Sequence, residues 1–246
     1  NREHGIPYGR IMEVFGMESN GKTALALSLA ALAQQDGATI HWGDFESSFD
    51  PEWATKRGLD PTKVMVFQPY VGKFEGEKEP RLCTAQEQCQ EIEASVAQRK
   101  TQKQVIVVDS LTSMLVEGEA NAGLTGRNLK SAMSHPVFLG GLLRRWVGLS
   151  QSYSALIILI NQLRQNPMNR FGDPWYTPGG NAPRFYSHIR VKLHRTKGGR
   201  ILQGGKLIGI QGIMTCKKNK VGGTEGAQVG YKMLFDGPIQ FLPAKD

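Results

Sequence analysis

Eight residues near the N-terminus, Gly16-Met17-Glu18-Ser19-Asn20-Gly21-Lys22-Thr23, have the types and spacing of a phosphate-binding loop, G-x-x-x-x-G-K-[ST]. Glycines at its first and sixth positions let the backbone curl until several N–H groups point at phosphate oxygens. The lysine can then reach the β- and γ-phosphates of a nucleoside triphosphate, and the Thr23 hydroxyl can hold Mg²⁺. The chemistry needs a strand before the loop and a helix after it. The apolar run Ile11–Phe15 and the run Ala24–Leu32 supply both. The helix N-terminus adds its positive dipole at the same spot. Those flanks weigh against the plainer reading, a glycine-rich turn with an incidental Lys-Thr.

Four further positions bear on that chemistry. Val105-Ile106-Val107-Val108-Asp109 is an apolar run ending in a carboxylate, which can hold the Mg²⁺ shell from the end of a strand. Glu46, just past Trp42-Gly43-Asp44-Phe45, can orient or deprotonate an attacking water, or it is a surface or capping acid. Trp53, beyond Asp50-Pro51, is either a stacking partner for a base or a core aromatic. Gln162 follows the run Leu156–Asn161, where a neutral amide can bond a γ-phosphate or its water, a contact that hydrolysis removes.

The 246 residues suffice for one large domain with a substantial core, and 40% hydrophobic residues exclude a disordered chain. No apolar run reaches membrane-spanning length and no signal peptide opens the chain, which begins at Asn1. Three cysteines, Cys83, Cys89 and Cys216, without a C-x-x-C, fit ordinary thiols in a reducing cytoplasm. The net charge of +8 is uneven: residues 1–110 hold 12 Lys/Arg against 16 Asp/Glu, whereas residues 111–246 hold 18 against 6. The basic half calls for a polyanionic partner, with a solubilising bias as the plainer account.

Strand-like and helix-like runs alternate. Arg10–Phe15, Thr39–Gly43, Val64–Gln68, Gln104–Val108 and Ala155–Ile160 read as strands; Lys22–Gln35, Pro51–Arg57, Thr84–Lys100 and Leu142–Ser152 read as helices. Thr84 and Glu87 have capping-box spacing. This alternation predicts an α/β fold, a mostly parallel twisted sheet with helices on both faces. From about residue 189 short strand candidates at Ile189–His194, Lys206–Lys217, Gln228–Phe235 and Ile239–Leu242 predict an antiparallel extension of the same domain, so that 1–188 is the nucleotide-binding core and 189–246 its β-rich continuation. Two stretches read as irregular, Glu117–Arg127 and Arg164–Gly180. The second, 17 residues with Arg164, Arg170, Phe171, Trp175 and Tyr176, is long enough for function to be its expected reason.

In order and spacing these segments resemble the RecA-type recombinases over nearly the whole chain. The phosphate loop resembles G-P-E-S-S-G-K-T; Asp44-Phe45-Glu46 through Asp50-Pro51 resembles D-A-E-x-x-x-D-P; Val107–Ser110 resembles V-V-D-S; Asn161–Arg164 resembles N-Q-I-R; Lys218-Asn219-Lys220 resembles K-N-K. Phe171–Pro174 and Pro178–Ala182 fall at the family's spacing after the glutamine.

The resemblance implies an ATP- and Mg²⁺-dependent enzyme with Glu46 as base, Lys22 on phosphate, and Thr23 and Asp109 at the metal. It implies Gly16, Glu18, Ser19, Asn20, Gly21, Asp50 and Trp53 around the nucleotide, and Gln162 as γ-phosphate sensor. Arg127, Arg164, Arg170, Phe171, Trp175, Gly179, Gly180 and Asn181 fall on the DNA loops. Phe185 falls near a subunit interface, and Lys218 and Lys220 at a neighbour's ATP. The implied partners are single- and double-stranded DNA and further copies of the chain in a filament, without a membrane, in the cytoplasm. The first loop is shorter than usual for the family, the helix region 128–141 after it is correspondingly longer and unfamiliar, and the resemblance does not include the N-terminal oligomerisation segment or the C-terminal domain of full-length bacterial members. A ring-forming helicase motor and a non-catalytic ATP-switched DNA-binding scaffold are the alternatives; Glu46 speaks against the second, and the K-N-K pair against the first.

Overall fold

A computed structural model describes residues 5–74, 76, 79–99, 102–122, 129–165 and 175–242. The described elements run β1 (Ile11–Gly16), α1 (Lys22–Gln35), β2 (Thr39–Asp44), α2 (Pro51–Lys56), β3 (Val64–Phe67), β4 (Val71–Gly72), β5 (Arg81–Leu82), α3 (Ala85–Ala97), β6 (Gln104–Asp109), α4 (Glu117–Ala122), α5 (Leu129–Ser152), β7 (Ala155–Gln162), β8 (Arg164–Gln165), β9 (Trp175–Tyr176), α6 (Ala182–Tyr186), β10 (Ile189–Gln203), β11 (Lys206–Asn219), β12 (Gln228–Leu234) and β13 (Ile239–Leu242).

Among the described residues nine strands form one sheet in the order β13-β12-β11-β10-β1-β7-β6-β2-β3. From β10 through β3 the neighbours are parallel, and from β10 to β13 they are antiparallel. The expected α/β sheet with its antiparallel extension is therefore the observed architecture.

The central strands β6 and β7 read as nearly unbroken apolar runs because both faces are covered. Val105 and Val107 of β6 and Ile158 and Ile160 of β7 face one core, with Leu25 and Leu27 of α1 and Ala54 of α2. Ile106, Val108, Ile157 and Leu159 face the other, with Ile92 of α3 and Leu139, Leu143 and Trp146 of α5. α3 opens on the expected capping box, Thr84 with Glu87. α2 opens on Asp50, whose carboxylate accepts from the Glu52 and Trp53 amides, with Pro51 in the first turn.

Four expectations change. The helix region 128–141 and the helix expected over Leu142–Ser152 are one element, α5, which starts at Leu129 and carries Pro136 inside it. Leu139, Leu142, Leu143 and Trp146 bury one helical stripe strong enough to hold the turn that Pro136 weakens. Glu117–Ala122, expected as irregular, is the helix α4. Arg164–Gly180 is not wholly without structure, since β8 and β9 pair at its two ends. β10 and β11 also run further than expected, to Gln203 and Asn219. The pairing shifts register between Arg195 and Arg200, where a Cβ on Gly199 would come within 2.4 Å of the Gln211 carbonyl.

His41 on β2 is fully buried and shares a 2.8 Å hydrogen bond with Gln104. Burial is the main cause that pushes its imidazole down to about 4 from 6.5. Because the folded chain binds this proton less readily than the unfolded one, stability through His41 is complete above pH 6.5 and is lost as pH falls toward 4. Urea unfolding across pH should show midpoints falling in that window, and His41→Gln, which keeps an amide partner for Gln104, should flatten the fall.

Candidate nucleotide site and the cleft beside it

The phosphate loop is held where the strand ends. β1 stops at Gly16 because its backbone lies against β10: a Cβ there would sit 2.5 Å from the Leu193 carbonyl oxygen. Gly21 has φ +83, and a Cβ on it would meet the Met233 sulfur at 2.9 Å. Asn20 is buried; its side chain donates to the Leu193 carbonyl at 3.2 Å, and the Tyr231 hydroxyl donates to the Asn20 carbonyl at 2.8 Å. The loop is thus buttressed by β10 and β12 of the extension. α1 begins at Lys22 with no side-chain cap and no acidic residue in its first turn. Its first N–H groups and dipole are left for an anion, and the glycines at 16 and 21, where a Cβ has no room, set the curl of the loop around that helix start. Lys22 is buried with Nζ on the Met17 carbonyl at 2.9 Å; burial lowers its pKa, opposed by Asp109, Glu46 and Glu18.

Two carboxylates of the neighbouring strands end level with one another, Asp44 of β2 opposite Asp109 of β6. Burial pushes the Asp109 carboxyl up to about 7, against a hydrogen bond from Thr23 that lowers it, and the charges of Glu46 and Asp44 raise it further. Such a group, beside the Thr23 hydroxyl, is suited to a divalent cation. Among the described residues no cluster of three or more His, Cys, Asp or Glu can hold a metal. A Mg²⁺ at Thr23 and Asp109 would therefore take its remaining ligands from phosphate and water, the usual habit of that ion.

Glu46 is exposed, and its Oε1 accepts from the Ser110 hydroxyl at 2.5 Å and the Ser113 hydroxyl at 3.1 Å. Sequence reasoning missed what places it. Asp44 accepts from the Ser48 amide at 3.1 Å, the Phe49 amide at 2.8 Å and the Gln68 side chain at 2.8 Å, and so closes the turn that carries Glu46. The available signal was a short acid at a strand end, a residue type that bonds the backbone of the following turn.

Asp50 engages its carboxylate in the α2 cap. Trp53 packs on the core edge with the Arg57 guanidinium 5.1 Å from its ring centre, and Arg57 in turn donates to the Gly237 carbonyl. The base-stacking role expected of Trp53 therefore concerns a ring that already has a cation beside it.

Gln162 lies opposite Gly16 in the β1–β7 register, and the Leu163 amide donates to the Gly16 carbonyl at 3.0 Å. Past it opens a cleft of about 790 Å³ that is lined by Arg164, Trp175, Gly179, Gly180 and Asn181, all assigned to the DNA loops by the resemblance, and that none of residues 16–23 lines. Arg184, Lys192 and Lys217 line it as well and had not been singled out; the alternation of Lys192 with the buried Val191 and Leu193 was already present in the expected strand Ile189–His194. Arg127, Arg170 and Phe171 lie outside the described residues.

Lys218 and Lys220 do not meet the phosphate loop of their own chain. Lys218 pairs with Arg190, which pairs with Glu13, three residues before Gly16 and hence about 10 Å short of the loop at roughly 3.3 Å per residue. The Lys218 ammonium rests on the carbonyls of Arg184 at 2.7 Å and Phe185 at 3.0 Å. Phe185 is 69% exposed on α6.

The family model for the RecA N-terminal domain matches residues 3–237. The chain belongs to the RecA family. It is 35% identical over 224 residues to Protein RecA of Pseudomonas putida, an alignment covering 88% of this chain and 56% of that protein. It is also 35% identical over 238 residues to Protein RecA of Pseudomonas fluorescens strain Pf0-1, covering 94% of this chain and 60% of that protein. This RecA-family chain thus spans a little over half the length of those relatives. Among its described residues no helix is long and apolar enough to cross a membrane.

Asp44→Ala leaves two backbone amides and the Gln68 side chain without their acceptor. It should lower stability by about 1–3 kcal/mol in urea titrations, with Asp44→Asn intermediate because its carbonyl oxygen can still accept from part of the turn.

Proposed function

We propose that this chain is the ATPase core of a recombinase that polymerises on single-stranded DNA, hydrolyses ATP when DNA is bound, and pairs and exchanges homologous strands. The observation that carries the reading is the strand pair Gly16↔Gln162: one strand end opens the phosphate loop, and the other opens the basic, aromatic cleft. A ligand that alters one strand end is felt at the other.

In this reading residues 1–246 are a single domain with 189–246 as its extension. Lys22, Gly16, Glu18, Ser19, Asn20 and Gly21 grip the phosphates, with Asp50 and Trp53 on the base side. Thr23 and Asp109 hold Mg²⁺. ATP with its metal supplies the electrophilic γ-phosphoryl group. Glu46, held by the Ser110 and Ser113 hydroxyls, orients the attacking water and takes its proton. Gln162 bonds the γ-phosphate end of the site and reports its loss to the loop that follows. Arg164, Arg170 and, from the first loop, Arg127 neutralise the DNA backbone without reading sequence, while Phe171, Trp175 and Tyr176 stack or wedge on bases. Gly179, Gly180 and Asn181 carry the loop back to α6. Since Lys218 and Lys220 fall short of their own loop, they serve a neighbouring copy, with Phe185 at the joint.

ATP turnover should rise when single-stranded DNA is added, and a DNA-independent rate would sink the reading. If Arg164, Arg184, Lys192 and Lys217 each neutralise a phosphate, log K for DNA should fall with log salt at a slope of about −3. Glu46→Gln should bind ATP and DNA with little turnover. Mixed with Lys218→Ala it should regain activity, because each variant completes the other's site; failure of any mixture to recover would remove the sharing between subunits.

A further inference from the structure

Beneath the cleft lies a buried polar set that neither grip nor hydrolysis, as described, employs. Glu13 of β1 is fully buried and pairs across the strands with Arg190 of β10, whose Nε donates to Glu13 Oε2. Glu13 Oε1 accepts from Asn161 Nδ2 at 3.0 Å, and the same amide nitrogen donates to the Pro178 carbonyl at 3.2 Å. The Arg190 guanidinium lies 4.5 Å from the centre of the Phe15 ring. Asn161 Oδ1 is buried and, among the described residues, has no hydrogen-bond partner.

Each member abuts a working part. Glu13 stands three residues before Gly16 on the strand that becomes the phosphate loop. Asn161 immediately precedes Gln162. Pro178 ends the segment that Gln162 begins, so one amide side chain ties the loop shut at its base. Arg190 lines the cleft.

We propose that Arg190, Glu13 and Asn161 form a positioning relay through which a polyanion in the cleft resets the nucleotide-facing ends of β1 and β7. The inference rests on the reading of loop and cleft given under Proposed function. A buried carboxylate is tolerable only while paired. A nucleic-acid phosphate in the cleft is a second anion that competes for the planar fork of Arg190. As the guanidinium turns to phosphate, Glu13 draws on its remaining donor, the Asn161 amide. Pro178 then loses its bond and the loop base opens. The unpartnered Asn161 oxygen marks this amide as incompletely satisfied where it stands, so a second orientation that gains a donor is close in energy. Two discrete arrangements of one buried group are what coupling between sites requires.

The test compares ATP turnover with and without single-stranded DNA, the KM for ATP, DNA affinity and urea midpoints in the parent, Glu13→Gln and Asn161→Ala. Glu13→Gln keeps shape and an acceptor but removes the charge that holds Arg190. It should cut the DNA stimulation ratio about tenfold, within the usual range of site-to-site coupling, while the DNA-free rate, KM and DNA affinity stay near the parent's. Asn161→Ala should do the same, and the double variant should lose no more than either alone. Should Glu13→Gln fail to fold, Glu13→Asp, which keeps the charge but shortens its reach to Arg190 and Asn161, takes its place with the same expected loss. Folded variants with the parent's ratio, or losses that merely follow stability, KM or DNA affinity, overturn the relay. A parent that DNA does not stimulate overturns instead the reading on which the relay rests.

Discussion

The hydrogen-bonded seat of β1 between β7 and β10 is the constraint on which the rest depends. Its last residue, Gly16, meets Gln162 on one side and Leu193 on the other, with no room for a single methyl group against the Leu193 carbonyl. Parallel registration of this kind places strand ends in a row, and the row is the site: Gly16, Gln162, Asp109 and Asp44 all stand at the same edge of the sheet. In open α/β sheets that edge is where loops gather and ligands sit. Both faces of the sheet are packed, so the edge cannot slide without disturbing two cores.

Electrostatics then divides the row into unlike parts. Lys22 and Asp109 are both buried and both pushed by burial toward neutrality, yet each is pulled back by the other's charge. Such mutual support keeps a cation and a carboxylate ready beside a helix start that lacks any anion of its own. On the far side of Gln162 the balance reverses: the cleft gathers Arg164, Arg184, Lys192 and Lys217 against Glu119. The acidic and basic halves of the sequence thus map onto neighbouring compartments of one surface.

Much of this was legible in the residues. Type and spacing marked Gly16–Thr23, and buried apolar runs marked β6 and β7, because steric and solvation rules act locally there. The extension's role was not legible. Nothing near Tyr231 announces that its hydroxyl holds Asn20, and nothing near Leu193 announces that its carbonyl excludes a side chain at Gly16; both are facts of pairing across great sequence distance. In the sequence α5 reads as two pieces, a helix region 128–141 and a helix from Leu142, which the buried side chains Leu139, Leu142, Leu143 and Trp146 join into one stripe. The Asp44 turn escaped notice because one carboxylate looks like another until its three donors are seen.

The bond from Tyr231 to Asn20 spans 211 residues, and it bears on how the molecule comes into being. Asn20 leaves the ribosome long before Tyr231, whose strand β12 is the floor of the loop. Until residues 228–234 arrive, the loop has its sequence but not its shape. In a nascent chain the loop therefore takes its final shape only after β12 has been made, because the contact that fixes it has a large sequence separation.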